Sequence, residues 1–206
     1  MPTELYTIGH STHTTDYFVG LLKQHGVTAV CDVRSHPYSK HNPQYNREKI
    51  ADEIKNHGIA YIFLGKELGA RSDKSNCYVG GKIQFKKLAA EPLFQEGLAR
   101  LKRGMKKYSI ALMCAEKDPI TCHRTILVTR QLQREFTIKH ILADGRLENN
   151  AEAEKRLIDL LKIEPDLIRD EYQCIEDAYN LQGNKIAYTK ENTSKKHLTH
   201  ENYARH

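Results

Sequence analysis

The densest run of chemically capable residues is Cys114-Ala115-Glu116-Lys117-Asp118-Pro119-Ile120-Thr121-Cys122-His123-Arg124. Pro119 favours a turn, and Thr121 can accept a backbone N–H two or three residues on, so a helix is expected to open there. Cys122, His123 and Arg124 then fall in its first turn, where free N–H groups and the helix dipole favour an anion. Arg124 adds a planar fork suited to phosphate or carboxylate. The same position lowers the pKa of Cys122 toward a reactive thiolate. The alternative reading is structural, with Cys122 a small buried residue and Arg124 paired to Asp32 or Glu116.

A second polar run, Asp32-Val33-Arg34-Ser35-His36-Pro37, follows an apolar stretch. Asp32 is a candidate carboxylate base or an orienting partner for an arginine, and Arg34 is a candidate second anion clamp. Pairing of these two charges with each other is an equal alternative, because buried charges need partners. Gly9-His10-Ser11 offers a turn over which a backbone could approach a phosphate, with His10 either a site residue or a rim histidine.

The elements that would hold these runs alternate. Leu5 to Ile8, Val27 to Val33, Ile59 to Leu64 and Tyr108 to Cys114 are short apolar runs that read as buried strands, with a further strand over Lys139 to Leu142. Thr14 to Gln24, Arg47 to His57, Leu93 to Lys107, Thr121 to Phe136 and Ala151 to Leu161 carry apolar residues at helical spacing. Thr14 or Thr15 reads as a cap and Gly26 as a stop for the first of them. The pattern predicts an α/β fold, a three-layer sandwich around a mostly parallel sheet. Residues 1–183 read as a single domain, with 184–206 a polar tail and Gly65 to Gly81 a long loop. In such sheets ligands bind beyond the carboxyl ends of the strands, which is where His10, Asp32, Arg34, Glu116 and the Cys122 segment all fall.

Composition limits the classes. The chain has 206 residues, 39% hydrophobic and 28% charged, with a net charge of +6 and a mean hydropathy of -0.64. No apolar run approaches the ~18 residues of a membrane span. Met1 leads directly into Pro-Thr-Glu-Leu without a secretory pattern, so a cytoplasmic chain is expected. Five cysteines in no scaffold spacing predict reduced thiols. There is no G-x-x-x-x-G-K-[ST] and no G-x-G-x-x-G after the first strand. The residue six beyond Cys114 is Ile120, so the C-x₅-R pattern of phosphate-handling cysteine enzymes is not met there. Without a C-x₂-C pair no metal and no cofactor is expected, although Cys114, Cys122, His123 and His10 are ligand types. Lysines and arginines between Lys82 and Lys107 read as a solvated helix face, with nucleic-acid contact the minority reading.

Thr7-Ile8-Gly9-His10-Ser11, Asp32-Val33-Arg34-Ser35 with Pro37, Leu64-Gly65 with Leu68-Gly69, and Cys114-Ala115-Glu116 with Pro119 and Cys122-His123-Arg124 together resemble the domain-of-unknown-function family numbered 488. The resemblance runs from about Thr7 to Ile141. It departs at Gly69-Ala70, where the family usually pairs two glycines. The family has no settled activity, so the resemblance implies a fold and a site rather than a reaction. Labels on some members connect it with DNA repair.

The expected function is binding of a phosphate-bearing small molecule such as a nucleotide, extending to hydrolysis or group transfer. Asp32, Glu116, Cys122 and His10 are the catalytic candidates, with the carboxylates as acid and base. Arg34, Ser11, His123 and Arg124 are the substrate-binding candidates. A non-catalytic nucleic-acid-associated module is the competing class. Oligomeric state is not legible.

Overall fold

A computed structural model of the chain describes residues 4–164 and 170–190. In order, β1 (Glu4–Gly9), α1 (Thr15–Gln24), β2 (Ala29–Asp32), α2 (Arg47–Asn56) and β3 (Ala60–Phe63) form two successive strand–helix–strand units. After them come α3 (Gly65–Leu68), a small hairpin of β4 (Tyr78–Val79) and β5 (Lys82–Ile83), α4 (Phe85–Ala89) and α5 (Pro92–Met105). The chain then re-enters the sheet with β6 (Ile110–Cys114), β7 (Thr137–Ile141) and β8 (Leu147–Asn149), and finishes with α6 (Asn150–Leu161) and α7 (Glu171–Ile186). The six-stranded sheet has the order β3-β2-β6-β1-β7-β8. All pairs are parallel except β7 with β8.

The alternation of side chains along each strand makes the three layers. Ala29 and Cys31 of β2 and Ile110 and Leu112 of β6 face a core shared with Leu88, Phe94, Leu98 and Leu101 of α4 and α5. Val30, Ala111 and Met113 face the opposite way, onto Phe18, Leu22, Ile50 and Ile54 of α1 and α2. Burial on both faces explains why these strands read as continuous apolar runs. At the start of α1, Thr14 accepts the Tyr17 N–H at 3.3 Å, and Gly26 beyond its end has φ +63°. Both signals were legible in the sequence.

Three expectations change. The helix expected over Thr121 to Phe136 is broken into a 3-10 turn at Pro119–Thr121, a π turn at Arg124–Val128 and a 3-10 turn at Thr129–Gln131. Thr129 donates its hydroxyl to the Thr125 carbonyl at 3.2 Å, competing with the backbone ladder. The long loop from Gly65 contains α3 and the β4–β5 hairpin. The chain from 184 onward does not begin as a tail. α7 runs to Ile186, Ile83 donates its N–H to the Tyr188 carbonyl at 2.9 Å, and Thr189 bridges Lys82. Residues 191–206 of the expected tail lie outside the described residues. Two elements that the periodicity did not predict have local signals all the same. β8 follows Asp144-Gly145, with Gly145 at φ +85°. α7 opens on a reciprocal cap, in which Asp170 accepts the Gln173 N–H and Gln173 accepts the Asp170 N–H. Among the described residues no helix is long and apolar enough to cross a membrane.

Candidate functional site

The register brings the site together. β6 lies between β2 and β1, and Gly9 sits opposite Cys114 while Asp32 sits opposite Met113. The carboxyl ends of three neighbouring strands therefore deliver their next residues to one place. The segment leaving β6 stays pressed against the end of β1: His10 and Ser11 donate their N–H groups to the carbonyls of Cys114 and Ala115, each at 2.9 Å. A Cβ on residue 9 would stand 1.9 Å from the Glu116 carbonyl oxygen, so only glycine permits this approach.

Arg124 holds the same segment from beneath. Its guanidinium donates to the carbonyls of Glu116 at 2.6 Å and Lys117 at 3.3 Å, and to the Thr7 hydroxyl at 3.3 Å. It is 0% exposed. Arg124, expected as an anion clamp or as a partner of Asp32 or Glu116, thus places its donors inside the fold, on the Glu116 backbone rather than its carboxylate. The expected helix cap fails with it. Thr121 donates its hydroxyl to the Asp118 carbonyl, and Asp118 is the residue that caps the turn, accepting the Ile120 N–H at 3.1 Å. Cys122 is extended at φ -126°, ψ 141°, so the Cys122-His123-Arg124 run does not form a helical first turn.

Around Arg34 a second set of bonds converges. Asp32 accepts from Arg34 Nε at 2.9 Å and Nη2 at 2.7 Å, and from the Arg34 backbone N–H at 3.0 Å. Tyr61 donates its phenol to the same carboxylate at 2.7 Å. Arg34 Nη1 lies 3.1 Å from His10 Nε2, and His10 Nδ1 lies 2.9 Å from the Ser11 carbonyl. A carbonyl only accepts, so the His10 proton sits on Nδ1 and its Nε2 receives the Arg34 donor. Burial first, and then the Arg34 charge, push the His10 imidazole down to about 4. His10 is therefore neutral near pH 7 and stacked on Tyr45 at 4.0 Å. Of the two readings open for Asp32, base or orienting partner, the contacts are those of the second: with His10 it holds a guanidinium that is 7% exposed. Ser11 contributes its backbone to this network, and it does not line the cleft described next.

The remaining candidates form a compact cluster. Glu116 Oε2 lies 2.9 Å from Cys114 Sγ and 3.0 Å from Cys122 Sγ, and Cys114 Sγ lies 3.5 Å from His123 Nδ1. These four donor atoms are all within 4.8 Å of one another. Burial raises the Cys114 thiol, and the Cys122 thiol beside it adds to the effect. Burial alone would raise Cys122 as well, but the Cys114 hydrogen bond and the Arg124 and His123 charges outweigh it and hold Cys122 well below the usual thiol range. Burial and the Cys122 charge raise the Glu116 carboxyl. The set thus shares protons among sulfur, oxygen and nitrogen. The absence of a C-x₂-C pair argued against metal ligands, yet the fold places Cys114, Glu116, Cys122 and His123 as one. A second group, Asp16, Glu53 and His57, is an open surface arrangement.

The two sets meet at a cleft of about 290 Å³. Arg34, His36 and Arg71 line it together with Cys114, Glu116 and His123, and Tyr188 closes one wall. Sequence reasoning missed Arg71 and Tyr188. Arg71 was hidden in the presumed loop, and Tyr188 in the presumed tail. The Arg71 guanidinium stacks 4.0 Å above the Tyr188 ring, and among the described residues no carboxylate pairs with it. The basic residues beyond the cleft differ: Lys74 pairs with Glu91, Arg100 with Glu67 at 3.0 Å and Lys102 with Glu135 at 2.6 Å. Pairing of this kind is what a solvated face shows.

A family model described as a domain of unknown function, DUF488, matches residues 14–131. No curated protein matches the sequence. Two crystal structures named "Putative phosphatase (DUF442)", both from Shewanella putrefaciens CN-32, are similar to the chain. The 1.60 Å structure is 14% identical with a TM-score of 0.41, covering 90% of this chain and 87% of that one. The 1.40 Å structure is 11% identical with a TM-score of 0.36, covering 91% of each.

Proposed function

Because this chain belongs to the DUF488 family, a domain of unknown function, its activity has to be read from its own cleft, and we propose that it binds a small phosphate-bearing, nucleotide-like molecule there as a hydrolase or transferase. The observation that carries this reading is the meeting of Arg34 and Arg71 with Cys114, Glu116 and His123 in one cleft, with Cys122 behind them. Arg71 is exposed and stacked on Tyr188, with no ion pair among the described residues, so its donors are available to an incoming anion. Arg34 is held flat by Asp32, which fixes the direction of the N–H groups that remain. With the anionic end clamped by the two arginines, the reacting end faces the cluster. Near-complete fixation of one guanidinium and free access to the other is how a site can combine orientation with capture.

Calorimetric titration with inorganic phosphate and with a nucleoside monophosphate tests the reading. Arg71→Ala is expected to weaken binding of both about five- to tenfold, since one charge-assisted contact at a partly open site is removed. Arg71→Lys keeps the charge without the stacked fork and should fall between the two. Equal affinity in wild type and Arg71→Ala, or no binding to either, overturns the proposal. Turnover of a small phosphate ester by the wild type, reduced about five- to tenfold in Arg71→Ala at subsaturating substrate, would separate an enzyme from a binding protein.

A further inference from the structure

We infer that Cys114, Glu116, Cys122 and His123 form a four-coordinate site for a thiophilic divalent metal ion of the zinc class at the floor of the cleft. The site is built in a short stretch with the spacing C-x-E-x₅-C-H. β6 delivers Cys114, the loop delivers Glu116, and the extended Cys122 after the 3-10 turn folds its sulfur back to meet them. Zinc bonds of ~2.0–2.3 Å place neighbouring tetrahedral ligands about 3.3–3.8 Å apart. The Cys114 Sγ to His123 Nδ1 separation is 3.5 Å, within that range, and no pair of donors exceeds 4.8 Å. The two sulfur-to-carboxylate distances, 2.9 and 3.0 Å, are thiol hydrogen bonds. When an ion replaces the shared protons they need open by only about half an ångström.

The orientation of His123 is the independent observation. Its Nε2 lies 2.9 Å from the Val33 carbonyl, deep in the fold. A carbonyl only accepts, so Nε2 carries a proton, and Nδ1 is the ring nitrogen turned toward Cys114. Donation of the distal ring N–H to a backbone carbonyl is the arrangement that fixes tautomer and angle in metal-bound histidines. The loop carrying Glu116 is fastened in turn by Arg124 at the carbonyls of Glu116 and Lys117, so the carboxylate is presented by rigid backbone. Donor chemistry selects the ion. Two sulfurs and an imidazole favour zinc-class metals over magnesium or calcium. In the bound state both sulfurs are thiolates, and whatever protons the cluster still shares pass to solvent.

Ion binding stands on donor geometry and does not depend on the phosphate reading. The test uses the full chain, reduced and stripped with a chelator, then titrated with cobalt(II) alone. One equivalent is expected to bind with thiolate-to-cobalt charge-transfer absorption and the strong visible bands of a tetrahedral ion, and zinc should displace it one for one. Cys122→Ser should abolish the charge-transfer feature of that sulfur and weaken binding at least about a hundredfold. Glu116→Gln, on the cleft side and less able to disturb the core, should weaken it about tenfold or more. Cys174→Ala, a buried thiol in α7, should leave the titration unchanged. Circular dichroism confirms folding of each variant. Binding far below one equivalent, octahedral-type weak bands, or an unchanged titration in folded Glu116→Gln and Cys122→Ser overturns the site. A Cys114–Cys122 disulfide that survives the reduction step, with no metal uptake, overturns it as well. Arg71→Ala should take up cobalt normally, so loss of phosphate binding and loss of metal binding are read separately.

Discussion

Arg34 and Arg124 emerge at the same edge of the sheet, and both are buried, but they are held in opposite ways. Arg34 is gripped by a carboxylate on one side and a neutral imidazole on the other, and keeps a 7% exposed face on the cleft. Arg124 gives its donors to two carbonyls and a hydroxyl and shows no surface. The Arg34 network runs from Tyr61 through Asp32 to His10 and ends at the cleft. The Arg124 network runs inward, through Thr7 to His140 and on to Asn150, Gln133 and Tyr179. Two buried arginines at one sheet edge thus differ in whether any of the guanidinium reaches the cleft. Each guanidinium places a donor from Nε, Nη1 and Nη2, so the difference lies in position: Arg34 keeps a face on the cleft, and Arg124 shows no surface.

The largest effect expected from this contrast is on stability. Arg124→Met leaves the Glu116 and Lys117 carbonyls and the Thr7 hydroxyl short of a donor, at about 1–3 kcal/mol for each buried group. A total of roughly 3–5 kcal/mol should lower the melting temperature by roughly 10 °C in a chain of this size. Phosphate affinity of the folded protein should be retained. A variant that melts normally but loses phosphate binding would erase the distinction between the two arginines.

Acid sharpens the comparison, because each network holds one depressed histidine. Burial and Arg34 bring His10 to about 4, and burial and Arg124 bring His140 to about 4, both from an ordinary 6.5. Below pH ~6.5 the unfolded chain takes up protons that the native one refuses, so stability falls as pH drops and the loss is complete near pH 4. Each histidine contributes about 3 kcal/mol over that interval. Unfolding free energies measured between pH 7 and 4.5 should show this decline, and His10→Gln or His140→Gln should each make it shallower. If either substitution removes nearly all, the networks are one unit rather than two.

The smallest expected effect concerns the far end of the Arg34 network. Tyr61→Phe deletes a 2.7 Å bond to Asp32, which still accepts three donors from Arg34. The cost should be about 1 kcal/mol in denaturant unfolding, with a slight loss of phosphate affinity as Asp32 loosens its hold. Unchanged stability with a large loss of affinity would mean that Tyr61 acts on the ligand directly.

Much of this was legible in the residues and some was not. The parallel strands announced themselves because burial on both faces leaves no alternation, and the cap at Thr14 and the stop at Gly26 have local physical causes. β8 and α7 were also locally encoded, in Asp144-Gly145 and in the Asp170–Gln173 pair, by signals weaker than periodicity. The Cys114 to Arg124 segment and the Asp32–Arg34 pair stood out because polar types gather where apolar strands end. That much is chemistry carried by residue type and spacing, and the chain fixed it alone.

Tertiary structure decided the roles. Whether Arg124 meets a ligand or a carbonyl depends on Gly9, more than a hundred residues away, letting the Glu116 backbone come within its reach. Whether Cys114, Glu116, Cys122 and His123 converge depends on one extended residue after a 3-10 turn and on a carbonyl from β2's far end orienting an imidazole. Arg71 and Tyr188 become neighbours only because the chain after α7 returns to β5. Donor saturation and proximity between distant segments are properties of the folded chain. Periodicity and motif spacing describe only what lies along one segment, so they located the edge of the sheet and left the assignment of its residues to packing.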